Sequence, residues 1–195
     1  NCVANGKILQ EYIFESIWIQ PAAGDAGGSL GAALALWHIE YGNPRKVNPH
    51  DDMNGSYLGN EYSQNEIEQE LKNAGANFEI EKYEDLIEKT SELLSKEKAI
   101  GWFQGRMEFG PRALGGRSIL ADPRSEKMHK NLNLKVKYRE SFRPFAPSVL
   151  REDLFEWFDM NVVSPYMLLI ANVKSNKINY IKNTGICSTC YDTSC

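Results

Sequence analysis

Residues 105–118 read GRMEFGPRALGGRS and follow directly on the apolar run AIGWFQ. Three arginines, four glycines, one glutamate and one proline share these fourteen positions. The apolar run reads as a buried strand that delivers the loop. The glycines let the loop bend tightly and approach a ligand without Cβ interference. Arginine stays charged in proteins and offers its donors as a planar fork that matches phosphate or carboxylate oxygens. A strand feeding a cationic glycine loop therefore predicts an anion site. The competing reading is a surface loop whose arginines pair with an acidic helix face.

The charge distribution favours the first reading. The formal net charge of −4 conceals a segregation along the chain. Residues 51–98 hold 13 acidic and 5 basic side chains, a net of −8, whereas residues 101–151 hold 4 acidic and 11 basic, a net of +7. The acidic charges fall at helical spacing, as a solvated face requires. The basic charges are mixed with glycine, proline and aromatic residues, the setting for a phosphorylated or otherwise anionic small ligand. Nucleic acid fits the charge of this block, but the chain's pI of about 5.5 weighs against it.

A length of 195 residues allows one domain or two small ones. No apolar run approaches the roughly 20 residues that span a bilayer, and no signal peptide opens the chain, so a cytoplasmic location is expected. The opening NCVANGKIL lacks a starting Met and is expected to be the interior of a longer protein. Cys187 and Cys190 form a CxxC with Cys195 close behind. A zinc site needs a fourth ligand at suitable spacing and none follows, so these are expected to be free thiols in a polar tail.

Along the chain, Ser16 to Gln20 reads as a strand that breaks at Pro21. A glycine-rich turn and a small-residue helix from about Ser29 to Tyr41 follow, stopped by Gly42, Asn43 and Pro44. Strand, glycine loop and helix together point backbone N–H groups at an anion. Residues 43–62 read as a linker. SQNEIEQELKNAG is a helix with a Ser63–Glu66 capping box and Gly75 as its stop. NFEIEKY reads as a strand and EDLIEKTSELLSKEK as an amphipathic helix with Leu86, Ile87, Leu93 and Leu94 inward. SILAD, FAPSVL and SPYMLLIANV read as strands, SEKMHKNLNLKVK and REDLFEWF as helices. Such alternation predicts an α/β or α+β class.

The second basic segment, KVKYRESFRPFAPSV, holds Lys135, Lys137, Arg139 and Arg143, the last lying between Phe142 and Pro144. Two cation clusters flanking predicted strands are expected to form two sides of one phosphate pocket. Glu108 and Glu140 either orient the arginines or balance their charge. Asp25, between glycines and before a helix, is either a hard-metal ligand or a helix cap. His38 reads as a packed residue rather than a ligand, while His50 and His129 carry no signal. Trp102, Phe103, Trp157 and Phe158 are expected in the core.

NCVANGKI, QPAAGDAGGSLGAAL, GWFQGRMEFGPRALGGRSILADPR and VKYRESFRPFAPSVL, in this order and spacing, resemble the O-carbamoyltransferases of the nodulation-factor and antibiotic-tailoring type over residues 1–172. The resemblance implies the end of an actin/hexokinase-like carbamoyl-transfer lobe (1–42), the linker (43–62), an incomplete YrdC-like lobe (63–173) and a divergent tail (174–195). It implies an enzyme that uses carbamoyl phosphate and ATP to form carbamoyl-adenylate and passes the carbamoyl group to a hydroxyl of a sugar or natural product. A divalent metal ion, iron- or magnesium-like, assists in that family. Carried over by position, Arg112, Lys137 and Arg143 match catalytic cations, and Asp25 matches the metal-ligand aspartate. Arg106, Gly110, Arg117, Gly24 and Gly27 are placed beside the nucleotide.

Joining two anions requires that their repulsion be cancelled, which positioned Arg and Lys do. The acceptor hydroxyl attacks, so no nucleophilic side chain is needed. The metal-binding histidines of the family fall outside this chain, and an NTSFN-like segment expected after Val173 is replaced, so the chain alone is expected to be inactive. The alternative is a non-catalytic or RNA-associated YrdC-like module that binds nucleotide or phosphate. RNA modules interleave exposed aromatics with a long basic face, whereas these cations concentrate in glycine and proline loops.

Overall fold

The computed structural model describes residues 1–178. The cysteines at 187, 190 and 195, and the tail reading beyond 178, lie outside the described residues. The chain forms two compact units, one from Asn1–Ile19 with the segment from Pro123 onward, the other from Gln20–Asp122. Each mixes helices with a small antiparallel sheet. Among the described residues no helix is long and apolar enough to cross a membrane.

Helix α1, Cys2–Gln10, opens the first unit, with the Asn1 side chain accepting from the Val3 and Ala4 amides as an N-cap. Asn5 Nδ2 donates to Leu168 O at 3.0 Å, so this helix lies against the segment before Ala171.

The Gln20–Asp122 unit begins with α2, Asp25–Ala35, which runs on into a wide π turn at Leu36–Glu40. The helix starts four residues before the expected Ser29. The expected strand at 16–20 stays irregular and unpaired, since no neighbouring strand supplies a ladder. Helix α3, Gln64–Asn73, carries the capping box as read: the Glu66 amide donates to Ser63 Oγ while Glu66 Oε2 accepts from the Ser63 amide. Gly75 follows at φ 64°, the left-handed stop. Residues 77–83, expected as a strand, lead irregularly into α4, Tyr83–Ser95. Leu93 and Leu94 of α4 are half-buried, but Leu86 and Ile87 are exposed rather than inward.

Strands β1, Ile100–Phe103, and β2, Arg117–Leu120, then pair antiparallel, Ile100 opposite Leu120 and Phe103 opposite Arg117. β1 alternates half-buried and exposed positions instead of being buried throughout. The segment 56–60, within the expected linker, bonds to the loop between these strands: the Phe109 amide donates to Ser56 O, Gly59 to Met107 O and Met107 to Asn60 O.

The first unit resumes with α5, Met128–Asn131, extended by a π turn at Leu132–Val136. Met128, Leu132 and Asn133 are buried there. FAPSVL forms no strand, and α6 is a short Leu154–Trp157. Strands β3, Phe158–Asp159, and β4, Asn172–Val173, pair antiparallel, so only the end of SPYMLLIANV is a strand. Two of the aromatics expected in the core are exposed, Phe103 and Trp157. Each has a cation on its face instead: the Arg117 guanidinium lies 3.3 Å from the Phe103 ring centroid, and Lys177 Nζ 4.7 Å from that of Trp157.

Candidate functional site

The loop joining β1 to β2 is built around a buried carboxylate. Glu108 is 7% exposed, and its Oε1 accepts from the amides of Leu114 at 2.7 Å, Gly116 at 2.7 Å and Arg117 at 3.3 Å. Burial alone would raise this carboxyl, but the converging N–H donors outweigh it and hold the group below its ordinary value. Glu108 thus orients no guanidinium; it closes the loop through main-chain donors. Tyr57 reinforces the closure by donating its hydroxyl to Leu114 O at 2.6 Å. Burial and the nearby Glu108 carboxylate push the Tyr57 hydroxyl up.

The three arginines of the loop divide into different tasks. Arg117 donates through Nη1 to Gln104 O and Gly116 O and through Nη2 to Gly105 O at 3.1 Å, while it covers Phe103. That guanidinium is engaged in the loop itself. Arg106 donates to Gly59 O at 3.2 Å and pairs with Glu61 at 3.2 Å. Arg106 therefore has an acidic partner, but Glu61 lies in the irregular segment before α3 and not on the acidic helix face of the competing reading. Arg112 sits between them in the sequence, exposed, with no hydrogen bond or ion pair among the described residues.

Gly110, placed beside the nucleotide by the resemblance, has φ 114°, and a Cβ on it would lie 2.7 Å from Ala22 Cβ. The backbone itself requires glycine there. A Cβ on Gly27 would come within 2.4 Å of Ala22 O, so that glycine serves the close turn into α2. Gly24 is the N-cap of α2, and Asp25 is the first helical residue, exposed and not the capping side chain. A carboxylate in this first turn suits the helix dipole. Among the described residues no group of three or more His, Cys, Asp or Glu gathers to hold a metal ion. Asp25 belongs to no such group among the described residues.

Lys137 and Arg143 belong to the other unit. Lys137 follows the π turn, its amide donating to Leu132 O at 2.9 Å, and its ammonium is exposed with no partner among the described residues. Arg143 pairs through Nε with Glu140 Oε2 at 2.8 Å. Glu140 thus pairs with an arginine, as Glu108 does not. Its carboxyl is held below the ordinary value by its own backbone amide, then by the Arg143 bond and charge. Arg139, a member of the same basic cluster, is engaged internally: Nε donates to Asn133 Oδ1 at 2.6 Å and the guanidinium lies 4.9 Å from the Phe145 centroid.

Sequence reasoning overlooked Asn133 and dismissed His129. Asn133 is fully buried and its side chain meets three backbone or side-chain partners. A polar residue at a core position of the SEKMHKNLNLKVK helix was the available signal, because a buried amide must find partners.

Comparison with known proteins accounts for these motifs. The Carbamoyltransferase C-terminus family matches residues 91–188, half of the chain, and the Carbamoyltransferase N-terminus family matches residues 1–34. The chain belongs to the carbamoyltransferase family. The C-terminal match runs past Val173, where the resemblance read from the motifs ended. An uncharacterized Synechocystis protein is 55% identical over 89% of this chain and 29% of its own length. Nodulation protein NolO of Bradyrhizobium diazoefficiens is 42% identical over 93% of this chain and 33% of its own. The 3'-hydroxymethylcephem-O-carbamoyltransferase of Streptomyces clavuligerus is 31% identical over 100% of this chain and 35% of its own. The chain thus spans about a third of the length of these relatives.

Proposed function

We propose that this chain supplies part of an O-carbamoyltransferase: residues 63–173 a YrdC-like lobe that binds carbamoyl phosphate and ATP, residues 1–42 the end of an actin/hexokinase-like lobe that transfers the carbamoyl group. The reaction proceeds through carbamoyl-adenylate: water cleaves carbamoyl phosphate to carbamate and inorganic phosphate, then a carbamate oxygen bonds to the α-phosphorus of ATP as the bond to pyrophosphate breaks and pyrophosphate leaves. In the transfer step the acceptor hydroxyl oxygen bonds to the carbamoyl carbon, the bond from that carbon to the AMP oxygen breaks, AMP leaves with the electron pair, and the hydroxyl proton passes to water. Arg112, Lys137 and Arg143 contact phosphate oxygens and stabilise charge as it moves onto the leaving group. The acceptor is a small hydroxyl compound, as the name of the cephem relative indicates for that protein. A metal at Asp25 would need donors from elsewhere in a longer protein, and no step is routed through it.

The observation that carries the reading is the state of Arg112. A carboxylate anchored by three amides fixes its loop, the two neighbouring arginines are engaged, and its own fork stays exposed. Isothermal calorimetry of the 195-residue chain with carbamoyl phosphate, a non-hydrolysable ATP analogue and a short RNA tests it. Saturable binding of carbamoyl phosphate, weakened at least tenfold by Arg112→Ala, is expected. Binding of the RNA alone, or equal affinity in the variant, refutes the proposal.

A further inference from the structure

The 139–145 segment that presents Arg143 has no regular secondary structure, so something other than a ladder must hold it. The Arg143–Glu140 pair does not suffice. Both side chains are about half exposed, at 53% and 54%, and exposed pairs of this kind orient little. The main chain is held more firmly. Arg143 O accepts from Asn133 Nδ2 at 2.8 Å and from His129 Nε2 at 2.6 Å. A carbonyl can only accept, so this bond requires the tautomer with its proton on Nε2, in which the 3.4 Å approach of Asn133 Nδ2 to that nitrogen is not a hydrogen bond. Asn133 Nδ2 also donates to Ser141 O at 3.2 Å, and Asn133 Oδ1 takes the Arg139 Nε bond. The Arg139 amide closes the turn on Asn133 O at 3.0 Å. One fully buried amide therefore meets both ends of the segment, and an imidazole adds a second donor beneath the residue that matters.

We propose that Asn133 and His129 are positioning residues that set Arg143 for anion binding by clamping its carbonyl. The inference rests on the proposed function for the identity of the anion. Glu140 occupies Nε of Arg143 and leaves both terminal nitrogens for phosphate oxygens, a bidentate geometry that tolerates little displacement. Shifting the backbone of residue 143 moves that fork as a unit, so the clamp acts on affinity and not only on fold.

The test compares His129→Ala with His129→Gln, because the glutamine amide can place a donor where Nε2 lies while lacking the ring that stands edge-on to Phe145. Calorimetric affinity for carbamoyl phosphate is measured on the full chain at a temperature where circular dichroism shows each variant folded. His129→Ala is expected to weaken binding about tenfold, the loss of roughly one hydrogen bond. His129→Gln should stay within about twofold, and His129→Ala should add nothing in an Arg143→Ala background. Equal affinity in His129→Ala, or the same further loss without Arg143, overturns the proposal. Amide exchange at Arg139 and Arg143 separates this from failure of the functional reading. A wild-type chain that ignores carbamoyl phosphate refutes the proposed function, and the clamp then stands or falls on whether His129→Ala, but not His129→Gln, speeds exchange at these amides.

Discussion

Replacing Glu108 by glutamine removes one charge from the centre of the β1–β2 loop and changes its volume little. The native carboxylate accepts two amide bonds at 2.7 Å and a longer one at 3.3 Å. Bonds to a charged acceptor contribute about 1.5–3 kcal/mol each and neutral ones about 0.5–1.5. The two short bonds together would lose about 2 kcal/mol, and easier burial of a neutral amide returns part of it. A net cost of about 1–2 kcal/mol corresponds to roughly 5- to 30-fold more frequent opening of the loop. Native-state hydrogen exchange at the Leu114 and Gly116 amides reads this directly, as the ratio of variant to wild-type rates. Because the folded carboxyl lies below its ordinary value, the wild-type advantage is complete above the unfolded value of about 4.3 and is lost as pH falls through the lower native value. The ratio should therefore be full at pH 7 and shrink toward unity as the acid limb is crossed. Equal protection at pH 7, or a ratio undiminished at pH 2, would refute the anchoring role of the charge.

Arg117→Lys keeps the charge but loses the fork that reaches four carbonyls and the plane that covers Phe103. It should destabilise the Gln20–Asp122 unit by about 1–2 kcal/mol in urea unfolding followed by Trp102 fluorescence, an upper value because these groups are partly solvated. Gly110→Ala should lower Tm, since it meets both a positive φ and Ala22 Cβ at 2.7 Å. Gly28→Ala, inside α2 with nothing within 4 Å of the added carbon, should raise stability by about 0.5–1 kcal/mol.

What could be read from the sequence was what the chain settles within a few residues. The Ser63–Glu66 box joins positions three apart, and both of its bonds form. Gly75 ends its helix for an equally local reason. β1 and β2 were recoverable because the loop between them closes on itself. The strands read at 16–20, 77–83 and 145–150 fail for the opposite reason: apolar alternation prepares a strand, but only a partner with a matching edge makes one. Glu108 shows the same limit at the site. Arginines lie near it in the sequence, and the two readings are that it orients them or balances their charge. The tight glycine turn instead directs three amides at the carboxylate, a consequence of backbone path that residue counts do not carry.

Net charge is likewise a poor measure of what these cations can do. The +7 of residues 101–151 contains arginines that are already satisfied. Arg117 and Arg139 each lie over a phenyl ring and donate to oxygens of their own unit, so each helps to shape the segment that carries a neighbouring cation. Arg112 and Lys137 remain exposed and unpaired among the described residues, and Arg143 keeps its terminal nitrogens. A surface for RNA would need its cations spread and available along a face. In each basic segment an arginine engaged with its own unit stands beside one with free donors: Arg117 beside Arg112, which has no partner among the described residues, and Arg139 beside Arg143, which spends only Nε on Glu140. That division suits a compact anion better than a polyanion, because a few oxygens need a small number of well-placed donors rather than many loose ones.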